Sequence, residues 1–525
     1  MSSKRAWSDA SDVFSWRRAR PVRTWERVLI AVLIFLGVQS IAYFGVWWFR
    51  LENVSNPVLF ALLSLATWYG ILRMAVGWYN FFHIEQAEPI EAPPGLSVAI
   101  FTTSSPGEPY QMFVRTLEAA RAIRYPHTTY LLDDTRDPRF AELAREKGAV
   151  HLEIVGYPGA KAGKINEALK RTAEEFILVL DPDHIPFPEF LDRVLGYFED
   201  PELGFVQPAQ AYYNPPVSFV ARAAAEQTYT FYGPIMQGMH GTGTTVAIGA
   251  NCTFRRSALN SIEGHGLGLA EDLVTSIRLH AAGWKSIYVP EILARGMVPE
   301  DLTSFLKQQL KWSRGVHDVL FQELPRAFRK LSFHQRISYF MIGSYYFVGL
   351  TSLIYFTIPL LYLWVGAQPA AIVLAEYLEH AIPVGLLGLI IYRLSQRWLC
   401  DPVRERGWHW RGTLMKIGSW SVYLRGLWLA IRGISVPYIP TAKERKTGAF
   451  WSMAAVPVAV ILLSMMTASA VIIRRLFFLE ESFVRITTEA TWAMIGFVMI
   501  NSLYMSGRLW AAWQDRTRKQ TAETE

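Results

Sequence analysis

Apolar residues in this chain fall into two textures. Long unbroken runs occupy residues 28–49, 58–79, 337–365, 370–392, 450–473 and about 488–509. Residues 96–181 instead alternate short β-prone apolar runs with stretches of helical periodicity. The long runs match the roughly 20 residues a helix needs to cross a hydrocarbon core, so they predict about six spans. The first follows a basic segment (Arg17, Arg18, Arg20, Arg23, Arg27) and has no small-residue cleavage site after it. It therefore reads as a retained span rather than a signal peptide, with the N-terminus inside. Arg73 interrupts the second run and is expected to face protein or to snorkel. The stretch 412–432 mixes Lys416 and Arg425 with Trp420 and Trp428, and predicts an amphipathic helix at the membrane surface.

The second texture predicts strands at 96–103, 128–133, 150–155 and 176–181, with helices at 109–124, 139–147 and 161–174. Strands alternating with helices imply a mostly parallel sheet in an α/β domain. The expected organisation is a basic N-terminus (1–27), two spans (28–80), the α/β domain (96–300) and surface helices (301–336). Two spans (337–393), a surface helix and loop (412–448), two more spans (449–510) and a basic tail (511–525) follow. Six spans keep both termini and the large domain on one side, and Arg474 and Arg475 are the misfit to that topology.

Composition supports this division. The 525 residues are 51% hydrophobic with a formal net charge of +7. In a membrane protein the placement of the cations matters more than their sum, so the charge does not argue for a nucleic-acid partner, and none is expected. The two cysteines, Cys252 and Cys400, form no CxxC pair, so neither a disulfide framework nor a zinc–thiolate site is expected.

Candidate chemistry sits at the strand ends, where ligands bind in open α/β sheets. Asp181-Pro182-Asp183-His184 offers two carboxylates and an imidazole, a set suited to Mg²⁺ or Mn²⁺ with a diphosphate, or a solvated turn. Asp133-Asp134 could contact a base or ribose, or cap the next helix. Lys161-Ala162-Gly163-Lys164 could hold a phosphate, or be a solvated helix start. Glu271-Asp272 opens a helix after the glycine-rich 264–268, where an acid is an ordinary preference and also a well-placed general base. Gln308, Lys311 and Trp312 share a helix face, suited to an anion and a sugar ring, or to a headgroup layer.

The order of these elements is more specific than any one of them. Paired Asp, Lys-Ala-Gly, DxDH, Glu-Asp and QxxKW, flanked by spans, resemble the processive family 2 glycosyltransferases, in particular the bacterial cellulose synthase catalytic subunit. The resemblance covers roughly residues 25–510 and implies a cytosolic GT-A domain with a nucleotide-sugar-binding mixed sheet, joined to a helical membrane region. It implies that Asp133 and Asp134 hold uridine, that Lys161 helps hold the nucleotide, and that Asp181 and Asp183 bind nucleotide-sugar and metal with His184 as a further ligand. Asp272 matches the catalytic base. Gln308, Lys311 and Trp312 match QxxRW, whose arginine contacts the diphosphate and whose tryptophan stacks on the acceptor sugar. Arg314 is expected to assist Lys311. Thr441 and Lys443 match the polar members of the FxVTxK gating loop, and Cys252 marks an acceptor-side loop.

The implied reaction is single-displacement inversion from a nucleotide-sugar, with UDP-glucose the expected donor. The implied product is a β-linked polysaccharide, cellulose or a related glucan, passed across the inner membrane toward an envelope export partner. Departures from the family pattern are QxxKW for QxxRW, Ala270-Glu271-Asp272 for TED, Asp133-Asp134-Thr135 for DDG, and residues 102–109 in place of PTYNEP. With few residues after the sixth run, no C-terminal cyclic-di-GMP-binding domain is expected. Two other readings compete: a non-processive transferase that loads one sugar on a lipid carrier, and a transport or scaffold subunit with an inactive transferase-like domain. The flanking spans and QxxKW argue against the first; intact Asp183 and Asp272 argue against the second.

Overall fold

The computed structural model describes residues 13–156, 159–434, 436, 448–477 and 488–524. A two-residue strand, β1 (Arg17–Arg18), precedes two long apolar helices, α1 (Thr24–Trp48) and α2 (Pro57–Phe82). Strands and helices then alternate: β2 (Val98–Thr103), α3 (Tyr110–Arg121), β3 (Thr128–Asp133), α4 (Pro138–Lys147), β4 (Val150–Glu153), α5 (Ala160–Arg171) and β5 (Phe176–Val179). Local chemistry sets these limits. The Asp137 side chain caps α4 by accepting from the Arg139 N–H, Pro138 takes the first helical position, and Gly148 ends the helix in the left-handed region at φ 74°.

Next come β6 (Ile185–Pro186), β7 (Leu203–Tyr212), α6 (Phe219–Glu226), β8 (Cys252–Arg255), α7 (Glu271–Ala281) and β9 (Lys285–Gly296). The nine-stranded sheet runs β1-β9-β7-β8-β5-β2-β3-β4, with β6 on β9. Pairs β2–β3, β2–β5 and β3–β4 are parallel. Strand β8 is antiparallel to both β5 and β7, which makes the sheet mixed. Every residue of β2 is buried, as expected of a strand covered on both faces.

The membrane-side half comprises α8 (Leu302–Asp318), α9 (Phe333–Gly343), α10 (Val348–Val365), α11 (Leu374–Ser395), α12 (Trp410–Gly418), α13 (Trp420–Ile431), α14 (Phe450–Phe477) and α15 (Thr488–Thr524). Among the described residues five helical segments are long and apolar enough to cross a membrane: Thr24–Trp48, Pro57–Phe82, Tyr345–Val365, Leu374–Trp398 and Phe450–Phe477. The expected sixth run forms the front of α15, and Asn501, Ser502 and Ser506 dilute its apolar stretch. The chain is a membrane protein.

Two expected helices are broken. The run 337–365 divides at Ser344 into α9 and the span that follows. The carbonyls freed there are taken by the second span: Arg73 donates to Met341, and the Tyr69 hydroxyl donates to Ser344 at 2.8 Å and to Tyr345 at 3.1 Å. Arg73 therefore faces protein, its guanidinium 5.2 Å from the Tyr345 ring centre. The stretch 412–432 is two helices meeting at Ser419 rather than one surface helix. Met415 and Tyr423 are fully buried, while Trp428 and Ile431 keep an exposed outer face. Gly426 is the contact point with α8, because a β-carbon there would lie 2.4 Å from the Ser313 hydroxyl.

Helices of the α/β domain and of the membrane side share one core. Ala270, Leu273 and Ile277 pack in the same cluster as Val316, Tyr339 and Tyr423. The acids at the start of α7 are thus held rigidly against α8, because close-packed interiors transmit displacement rather than absorb it.

Candidate active site

The carboxyl end of β5 delivers Asp181, Asp183 and His184. One ligand atom from each lies within 4.8 Å of the others. Asp183 and His184 are almost fully buried. The Met297 N–H donates to Asp183 Oδ2 at 3.1 Å, and His184 Nδ1 lies 3.3 Å from Asp183 Oδ1. Gln210 on β7 meets His184 Nε2 at 2.7 Å and accepts from the Asn251 amide at 3.1 Å. Gly296 lets the ring sit down on β9, since a β-carbon there would stand 2.3 Å from it. Two carboxylates and one imidazole fit Mg²⁺ or Mn²⁺. Both imidazole nitrogens already have partners, so ligation through His184 requires one of those contacts to open.

Lys161, at the start of α5, donates to the Asp181 carboxylate and to the Gly249 carbonyl. Burial acts to depress its pKa, but the charges of Asp181, Glu271 and Asp272 outweigh this and hold the ammonium above the ordinary lysine value. Asp272 is recessed at the first turn of α7, where its Oδ1 accepts the Leu273 N–H at 2.8 Å. Burial first, and the Glu271 charge second, push its carboxyl up to about 7. Gly249, at φ 79°, brings bare backbone against the Asp272 carboxylate.

Gln308, Lys311 and Trp312 share one face of α8 and line the same cavity as Asp181, Asp183, Glu271 and Asp272. The opposite side of α8 is packed, with the Ser313 hydroxyl donating to the Tyr423 carbonyl at 3.3 Å. The cavity measures about 640 Å³ and continues past Trp312 to Tyr346, Tyr392 and, on α2, Arg73 and Asn80. Four carboxylates and two ammonium groups meet at its catalytic end, which favours capture of a divalent cation.

Asp133 lies deep beside β3. It accepts from Ser104 at 2.5 Å, from the Thr135 N–H at 2.9 Å and hydroxyl at 2.8 Å, and meets His151 Nε2 at 3.0 Å. Burial acts to raise this carboxyl, but those hydrogen bonds prevail and hold it below the usual aspartate value. Asp134 accepts from the Gly156 N–H at 3.0 Å and pairs with Lys164 at 3.4 Å.

Two expected residues lie elsewhere, and two fall outside the described residues. Cys252 points into the core of the sheet, its thiol pushed well up by burial, and it is Gly249 and Ala250 of its loop that line the cavity. Arg314 does not line the cavity: it is buried, pairs with Asp318 and donates to the Ile434 carbonyl at 3.1 Å, because it falls on the packed side of α8. Thr441 and Lys443 lie outside the described residues. Sequence reasoning missed Gln210, and it missed Tyr212 and Tyr232, which line the cavity wall. The last lies in a π-helical turn, Phe231–Ile235, where Gly233 and Pro234 break α-helical spacing, the one local signal present.

Residues 93–315 match the family described as glycosyltransferase like family 2, and residues 265–495 match that described as cellulose synthase. The cellulose synthase catalytic subunit (UDP-forming) of Komagataeibacter sucrofermentans is 28% identical over 341 residues, which cover 62% of this chain and 45% of that protein. The Pseudomonas fluorescens subunit of the same description is 31% identical over 280 residues, covering 51% of this chain and 38% of that protein. The chain therefore spans less than half the length of these relatives. A mannosyltransferase from Pyrobaculum calidifontis, solved with GDP-Man and Mn²⁺, superposes with a TM-score of 0.46 at 14% identity, over 72% of this chain and 100% of that one. Both family signatures overlap across the α7–α8 junction, where Asp272 and Trp312 meet the cavity, and over the residues they match the chain resembles the family 2 glycosyltransferases and the bacterial cellulose synthase catalytic subunit.

Proposed function

We propose that this chain is a processive, inverting glycosyltransferase that polymerises glucose from UDP-glucose into a β-linked glucan, cellulose or a close relative, and passes it across the inner membrane. The observation that carries this reading is the single cavity joining Asp183 and Asp272 to Trp312 and on to side chains of the spans. A transferase that releases each product needs no such continuation; one that feeds its own acceptor forward does.

In this reading the catalytic sheet faces the cytosol. Asp133 and Asp134 position the uridine, while Lys161, Asp181, Gln308 and Lys311 hold the diphosphate side of the donor. Mg²⁺ or Mn²⁺ held by Asp181, Asp183 and His184 supplies positive charge toward the diphosphate leaving group when bound. The terminal sugar of the acceptor stacks on Trp312, with the loop of Cys252 beside it. Asp272 accepts the proton of the acceptor hydroxyl as its oxygen attacks the anomeric carbon, and the C–O bond to UDP breaks on the opposite side. Inversion of an α-linked donor gives a β-linkage. Lys161 and Lys311 hold negative charge on the leaving diphosphate in a recessed site, where such contacts act more strongly than in water. Thr441 and Lys443 close over the donor, and an envelope partner receives the polymer.

The test is synthesis by the purified full chain in lipid from radiolabelled UDP-glucose with Mg²⁺ or Mn²⁺, followed by digestion with β-1,4- and β-1,3-specific glucanases. Long, glucanase-sensitive product is expected. Short product extractable into organic solvent would overturn processivity and favour transfer to a lipid carrier.

A further inference from the structure

The helix that carries Gln308, Lys311 and Trp312 does not end in solvent. It runs through a π-helical turn, Val319–Glu323, into short helical pieces at Leu324–Ala327 and Phe328–Lys330, and then into α9. Leu320, Leu324, Ala327 and Leu331 turn inward and pack in the core. The outward side is unusual for a segment of a catalytic domain. Phe321, Phe328 and Phe340 are more than 40% exposed, and Phe333 is 70% exposed. Phe333, Ile337 and Phe340 recur at helical spacing on α9, so they form one stripe leading toward the span at Tyr345.

Cations cluster at the same place. Residues 319–343 hold Arg326, Arg329, Lys330 and Arg336 against a single acid, Glu323. Glu323 is engaged by Arg278 at 3.0 Å and by Arg326 at 3.2 Å. Arg336 lies over the Phe328 ring at 4.7 Å and donates to the Phe328 carbonyl at 2.8 Å. Arg329 and Lys330 are exposed and have no carboxylate partner among the described residues. His334 hydrogen-bonds to Tyr79 near the end of α2, which puts the turn at the level where the spans leave the catalytic sheet.

We propose that the Phe328–Phe340 turn is a binding surface for anionic phospholipid headgroups: Phe333 and Phe340 enter the acyl boundary while Arg329 and Lys330 meet the headgroup phosphates. An apolar stripe alone would accept any lipid, and cations alone would stay in solution. Their juxtaposition beside a span fits an anionic bilayer surface. Because the turn is continuous with α8, headgroup attraction acts on the same helix that presents Lys311 and Trp312.

The test uses the full chain in phosphatidylcholine nanodiscs containing a trace of either photoactivatable phosphatidylglycerol or photoactivatable phosphatidylcholine, with labelled residues mapped by peptide mass spectrometry. Each cation near an anionic surface is worth about a fivefold preference. Phosphatidylglycerol label at residues 326–340 should therefore exceed phosphatidylcholine label on the order of tenfold. Arg329→Gln with Lys330→Gln should remove that excess, as should a rise to about 1 M salt, where the screening length falls to roughly 3 Å. Equal labelling by the two lipids, or an excess that survives both the double substitution and high salt, overturns the proposal. The salt arm needs no variant to fold. Labelling requires no sugar transfer, so the outcome is independent of whether the chain makes a β-glucan.

Discussion

A β-carbon placed on Gly249 would stand 3.3 Å from Oδ2 of Asp272. The glycine is held at φ 79°, and its carbonyl also receives the Lys161 ammonium. One residue thus meets the carboxylate proposed as the base and the Lys161 ammonium at once. Gly249→Ala should cost about 1 kcal/mol of stability from its left-handed backbone and crowd the carboxylate. The expected result is a fall in kcat of about tenfold or more with a far smaller change in melting temperature, measured by initial rates and a thermal melt in detergent.

Asp272 must be deprotonated to act as a base. Its folded pKa is raised to about 7, so the reactive form is lost as pH falls through that value. Initial rate should rise from pH 6 to 8 and then level. The linkage has the opposite sign for stability. An acid raised above its unfolded value binds a proton more tightly when folded, so stability falls as pH rises from about 4 to about 7. Asp272→Asn should abolish transfer yet raise the melting temperature at pH 8, by on the order of 2 °C. A rate flat across pH 6–8 would remove Asp272 from the role of base.

Lys311 stands where the family carries arginine, and it shares the cavity face with Trp312. Lysine keeps the charge but lacks the bidentate fork. Lys311→Arg should retain activity. Lys311→Met removes a charge-assisted contact worth about 1.5–3 kcal/mol, so the KM for UDP-glucose should rise by about tenfold to a hundredfold in a rate-versus-donor series. Trp312→Ala should leave donor binding intact and stop elongation, read as product length on a gel.

Arg295 and Asp401 form a fully buried ion pair at 2.7 Å, with Arg404 on the same carboxylate at 3.0 Å. The pair ties the end of β9 to the segment that follows the fourth apolar run. Asp401→Asn leaves two buried guanidinium groups without their shared countercharge, which should cost about 3–5 kcal/mol. The expected result is a large drop in melting temperature. Arg295 flanks Gly296 and Met297, which seat His184 and Asp183, so weaker metal-dependent activation should accompany it.

Arg20 and Arg397 both bind the fully buried Glu26 carboxylate, and the shorter of these contacts is the hydrogen bond from Arg20. Glu26→Gln should therefore loosen the first and fourth apolar helices, read as faster proteolysis of the N-terminal segment with transfer chemistry retained.

Much of the site was legible because it is local. Asp181, Asp183 and His184 follow directly on a strand, Asp272 opens a helix, and Gln308, Lys311 and Trp312 share a face by spacing alone. Strand and span positions were equally local, being set by runs of apolar residues. What escaped depends on partners far along the chain. Gln210 reaches His184 only because β7 lies two strands from β5. Arg314 sits two residues after Trp312, yet the packing of α8 on α13 turns it away from the cavity. Cys252 was expected to mark an acceptor-side loop, but the antiparallel pairing of β8 with β5 sends its thiol into the core.

By itself the sequence determined the element order, the membrane-spanning character and the chemical identity of the groups at the strand ends, since these follow from periodicity and from chain neighbours. Tertiary structure alone decided that Arg73 caps a broken helix, that Tyr212 and Tyr232 reach the cavity, and that the helix carrying Glu271 and Asp272 shares a core with Tyr346 of the third span. Hydrophobic burial specifies which residues go inside but not which ones meet there; that choice is made by close packing of elements hundreds of residues apart.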